Sequence, residues 1–177
     1  MDDLGLELKF AGGAPVLTEG HVIEGYASLF GLADQGGDIV AAGAYAASLA
    51  RLAGRGDKVR MLWQHDPAQP IGIWEEIRED DRGLWVRGRL LPEVAQAREA
   101  AALIAAGAID GLSIGYRTVQ AERDRQGRRV LTEVELWEVS LVTFPLQPDA
   151  RVLRAAAPRL SLPPRPRLAA PPFAARA

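Results

Sequence analysis

Two stretches near the end of the chain, LSIGYRTVQAERD and RVLTEVELWEVSLVTF, lie either side of a short polar DRQGR segment. Both alternate, and alternation is the period of an extended strand, whose successive side chains point to opposite faces. In the second stretch one face reads Val130, Thr132, Val134, Leu136, Glu138, Ser140, Val142, and the other Leu131, Glu133, Glu135, Trp137, Val139, Leu141, Thr143. So long a strand cannot stand alone. It commits the domain to a sheet whose apolar side must be covered. It also sets a carboxylate, Glu138, on the mainly apolar face.

The rest of the chain supplies partners for that sheet. VIEGYASLF, residues 22–30, is rich in β-branched and aromatic residues and stops at Gly31. The stretch LADQGGDIVAAG reads as loop. VRMLWQH, residues 59–65, places Val59, Met61, Trp63 and His65 on one face, and Asp66-Pro67 reads as its end. IGIWEEIRED and GLWVRGRLL read as a hairpin turning through Asp80–Gly83. Two segments have helical spacing instead: AYAASLARLA, stopping at Gly54, and PEVAQAREAAALIAAG, opened by Pro92 and closed by Gly107. There is no βαβ regularity. The fold class expected is α+β, a mainly antiparallel, β-barrel-like sheet with a few flanking helices.

Composition bounds what this fold can do. The 177 residues suffice for one domain with a core. The chain has no cysteine, which excludes disulfides, thiolate zinc sites and a cysteine nucleophile. A net charge of −2 gives no reason to expect a nucleic-acid partner. No apolar run reaches the roughly 18 residues of a membrane helix, and MDDLGLELKF lacks the basic start of a secretory signal. The expectation is a cytoplasmic protein away from membranes. From Arg154 onward the text becomes RAAAPRLSLPPRPRLAAPPFAARA. Residues 1–153 therefore read as the domain and 154–177 as an Arg/Pro-rich, disordered tail.

GLSIG, residues 111–115, spells G-x-S-x-G, the nucleophile elbow of α/β-hydrolases. That elbow follows a strand, precedes a helix, and has its histidine later in the chain. Here a helix precedes and a strand follows, and both histidines, His21 and His65, come before Ser113. The elbow is excluded. On a strand, however, Gly111, Ser113 and Gly115 share one face, so the glycines leave room for a substrate backbone beside the hydroxyl. His65, at a strand end, is the candidate base, since an imidazole titrates near neutrality; His21 reads as solvated. Glu138 needs a partner where it sits. That partner is either the histidine, as in a catalytic triad, or a structural arginine such as Arg87 or Arg117.

EGYASLFGLADQGGDIVAAGAY, LWQHDPAQPIG, GLSIGY and LWEVSLVTFPLQPDA, in this order between about Ile23 and Leu153, resemble the prohead (capsid maturation) proteases of HK97-type tailed bacteriophages and related gene transfer agents. That family is similar in fold to the herpesvirus assemblin proteases, whose serine and histidine lie on strands of a barrel. The resemblance implies a serine protease with Ser113 as nucleophile and His65, within WQHD, as general base. Glu138 is the preferred third member, with Asp66 and Asp57 as lesser candidates, because no histidine follows Ser113. Gly111 and Gly115 are the substrate-binding candidates. No metal or cofactor is implied. The implied substrates are the scaffold-like N-terminal segment of the major capsid protein and the protease itself, inside an assembling procapsid. The relatives also suggest a homodimer or higher oligomer. The competing reading is a non-catalytic capsid-assembly factor on the same fold.

Overall fold

The computed structural model describes residues 7–11, 16–18 and 21–144. The expected tail, 154–177, lies outside them. The two alternating stretches form the longest ladder of the fold: β8 (Gly111–Arg123) pairs antiparallel with β9 (Arg129–Val142). Between them Asp124 holds the turn by accepting N–H bonds from Gln126 and Arg128 at 2.8 and 2.9 Å, and Gly127 takes φ 78°. Glycine meets that φ without steric cost.

Around this ladder stand β1 (Glu7–Ala11), β2 (Val16–Thr18), β3 (Val22–Leu29), β4 (Ile39–Val40), β5 (Arg60–Trp63), β6 (Asp66–Glu79) and β7 (Gly83–Leu90). Together they form one nine-stranded sheet in the order β1-β8-β9-β5-β6-β7-β3-β2, with β4 attached to β9. The sheet curls until β3 comes against β1 and β8, giving a half-barrel. Most pairings are antiparallel, as expected, but the sheet is mixed: β9 pairs in parallel with both β4 and β5. Parallel neighbours need a long crossover, and local hydrophobic alternation carries no trace of one. From Glu138 to Val142 every residue of β9 is buried, and from Glu138 to Leu141 the strand is flanked by β5 on one side and β8 on the other.

Among the described residues two helices, α1 (Ala46–Arg55) and α2 (Ala95–Ala105), pack on the sheet. In α1 the helix runs past Gly54 and is capped by Gly56, at φ 70°. In α2 the buried positions Ala97, Ala100 and Ile104 follow helical spacing, and Gly107 follows the last turn at φ 72°. The α1 contact with β9 includes a buried hydrogen bond, Leu136 N–H to Ser48 Oγ at 2.9 Å. Ser48→Ala removes the acceptor and leaves a buried N–H unmet. The expected cost is about 1–3 kcal/mol, read as a lower urea midpoint with unchanged slope.

Further local expectations are corrected: Ile39–Val40, inside the stretch read as loop, form β4. Residues 59–65 are not a single strand closed by Asp66-Pro67. The strand β5 ends at Trp63, Met61 and Leu62 are both buried, and Asp66 opens β6 opposite Trp63. The residue before a proline prefers an extended backbone, and that preference suits the first residue of a strand as well as the last. His65 therefore stands with Gln64 in a two-residue turn, not on a strand face. Both carry positive φ, 62° and 53° respectively, as a type I′ hairpin requires.

Candidate active site

Register across three strands assembles the site. Ser113 on β8 lies opposite Ser140 on β9, and Ser140 in turn pairs with Leu62 on β5. Two positions along, Gly115 lies opposite Glu138. Directly opposed residues of an antiparallel pair project to the same face, so Ser113, Glu138 and Ser140 share one. Ser113 and Ser140 are completely buried, and Glu138 is 4% exposed.

His65 reaches this face from the β5–β6 turn. Its Nδ1 lies 2.5 Å from Glu138 Oε1, both side chains being almost fully buried. A left-handed backbone costs a non-glycine residue about 1–2 kcal/mol, so two in succession need support. Gln64 N–H donates to Leu141 O at 2.9 Å, the Gln64 side-chain amide donates to Thr143 Oγ1 at 2.6 Å, and Thr143 N–H returns a bond to Gln64 Oε1 at 3.3 Å. His65 N–H donates to Ser140 Oγ at 3.2 Å. Each of these bonds runs to β9, the strand that carries Glu138, or to Thr143 directly after it.

Gly115 is shaped by the carboxylate. A Cβ built there would stand 2.8 Å from both Cγ and Cδ of Glu138. The space above this glycine holds the Glu138 side chain, where sequence suggested a channel for substrate. Gly111 begins β8, opposite Val142.

The other candidates lie elsewhere. Asp66 accepts the Ala68 N–H at 2.8 Å within its own turn. Asp57 lines a cavity of about 420 Å³ with Arg51, Arg55, Lys58 and Arg60, beside α1. Arg87 faces Glu24 and Arg117 binds Glu135, so neither arginine is the partner of Glu138. His21 is exposed. Sequence reasoning passed over Ser140, Gln64 and Thr143. The one available signal was Ser140's position, two residues from Glu138 on the same face.

A carboxylate bonded to one imidazole nitrogen fixes the tautomer and leaves the other nitrogen, here Nε2, able to accept a proton. With a serine on the same face, this is the equipment of a serine hydrolase whose reacting groups are carried by a curled sheet. The comparisons narrow that class. Residues 13–160 match the family described as caudovirus prohead serine protease. The prohead protease of Enterobacteria phage HK97 is 33% identical over 149 residues, covering 82% of this chain and 63% of that protein. The prohead protease of Escherichia phage T5 is 30% identical over 120 residues, covering 66% of this chain and 55% of that protein. The chain thus spans less than two thirds of the length of either relative. Among solved structures, the bacteriophage T4 capsid assembly protease shares the fold with TM-score 0.62 at 18% identity, over 81% of this chain and 100% of that one. The chain belongs to the caudovirus prohead serine protease family.

Proposed function

We propose that the protein is a serine endopeptidase that shortens the scaffold-like N-terminal segment of a major capsid protein, and cleaves itself, inside an assembling phage or gene-transfer-agent procapsid. The observation that carries this reading is the 2.5 Å contact between His65 Nδ1 and Glu138 Oε1, on the sheet face that bears Ser113.

The chemistry is acyl transfer to water. His65 Nε2 takes the Ser113 proton as Oγ attacks the scissile carbonyl, and Glu138 stabilises the imidazolium that forms. His65 then returns the proton to the leaving amine. A water, deprotonated by the same nitrogen, releases the acyl group and regenerates the serine. Ser113 is fully buried, so substrate entry requires neighbouring chain to move. Enclosure raises the local substrate concentration, so modest intrinsic activity suffices. A second copy of the chain is the partner expected beside the capsid protein.

Coexpression with the capsid protein of the same particle tests the reading. The wild-type protease is expected to shorten that protein from its N-terminus, seen as a discrete loss in intact mass, and Ser113→Ala to leave it full length. Equal shortening by both would remove Ser113 from the mechanism. A capsid protein left intact by both would favour the non-catalytic assembly factor. Intact mass of the protease itself, followed over time, reports self-cleavage in the same samples.

A further inference from the structure

Ser140 is a buried hydroxyl with two named partners, and they are the two parts of the site that must be held relative to each other. Its Oγ accepts the His65 backbone N–H at 3.2 Å and lies 2.5 Å from Glu138 Oε2. An N–H can only donate, so the hydroxyl's own proton is free to point at the carboxylate, which can only accept when ionised. One side chain thereby bonds the main chain of the base and the carboxylate that holds the base's ring. The pattern is closed: Oε1 meets Nδ1, Oε2 meets Ser140, and Ser140 meets the His65 N–H.

The link is needed because His65 sits at a left-handed backbone, a conformation that costs a non-glycine residue about 1–2 kcal/mol. Gln64 is secured independently through Leu141 and Thr143, but those bonds set the turn's entry and not the ring. Glu138 bonds the imidazole itself, and Ser140 ties the His65 main chain to that same carboxylate. Ser140 also lies directly opposite Ser113. Any tilt of the imidazole about this anchor therefore changes its approach to the nucleophile.

We infer that Ser140 is a positioning residue of the reaction, fixing His65 and Glu138 as one unit while touching no reacting atom. The inference rests on the Ser113–His65–Glu138 reading above and extends it.

The test uses the full chain carrying Ser140→Ala, with Ser140→Cys as a second variant. The sulfur keeps the site filled but bonds weakly on both sides. Three readouts are combined: kcat and KM for a peptide copied from the junction the wild type cleaves, the thermal midpoint, and the downfield proton resonance of the His65 Nδ1–H. Both variants are expected to lose about 10- to 100-fold in kcat with KM within a factor of about two, the size of one lost buried hydrogen bond. The Nδ1–H resonance shifts or broadens as the carboxylate loses its second bond. Full kcat in folded Ser140→Ala, or an unmoved Nδ1–H resonance, would overturn the inference. If Ser140→Ala does not fold, the same outcomes are read from Ser140→Cys. Ser113→Ala and Glu138→Gln run alongside separate the two layers. If both are inactive while the Ser140 variants match the wild type, only the role of Ser140 fails. If Ser113→Ala still cleaves, the underlying triad fails.

Discussion

Ser113→Ala and His65→Ala are each expected to lower single-turnover peptide cleavage by about 10⁶-fold, and the double variant to lose no more than either single one. The equality is the informative part. A nucleophile without a base keeps its proton, and a base without a nucleophile has nothing to deprotonate, so the first deletion already removes what the second would. If the two losses multiplied, the groups would be acting independently and the proton transfer from Ser113 to His65 would be wrong. A fluorophosphonate, which reacts only with an activated serine, offers a second measurement. It should label the wild type at one position and label neither variant. Both substitutions shorten buried side chains, so thermal midpoints are measured in parallel to show that the lost activity is not lost structure.

Much of this site was legible in the sequence, and the reason is physical. Glu138 breaks an apolar face, and a buried charged carboxylate is costly unless it is paired. Its position alone therefore pointed to a partner, either His65 or an arginine such as Arg87 or Arg117. The strand character of residues 111–123 and 129–142 was equally open to reading, since alternation is a local property of the text. The parallel pairing of β5 with β9 was not, because it joins segments more than seventy residues apart in register, Arg60 with Glu138 and Leu62 with Ser140. That pairing is what carries the His65 turn back over β9. The turn itself was hidden by an ambiguous signal, since Asp66-Pro67 is compatible with a strand's end or its beginning. Ser140 was hidden differently. A small polar residue facing inward reads as filler until both of its bonds are seen.

Gly115→Ala is expected to cost nearly as much as altering the carboxylate itself, about 10³- to 10⁴-fold in kcat against about 10⁴ for Glu138→Gln, by analogy with loss of the triad acid elsewhere. Gly115 has no positive φ, so the backbone accepts alanine and the whole effect is steric. The added methyl would lie 2.8 Å from Glu138 Cγ and Cδ, well inside van der Waals contact, in a region buried on both strands. The carboxylate must then leave the position from which it bonds Nδ1. A double-variant cycle separates this from the sequence-based expectation that Gly115 makes room for a substrate backbone. If the glycine serves Glu138, Gly115→Ala lowers kcat and the thermal midpoint in the parent. In a Glu138→Ala background it changes neither, because the side chain it collides with is gone. If the glycine serves the substrate, Gly115→Ala raises KM in both backgrounds and leaves the thermal midpoint alone. The geometry above the glycine predicts the first pattern, because the volume a substrate would need is the volume the carboxylate already fills.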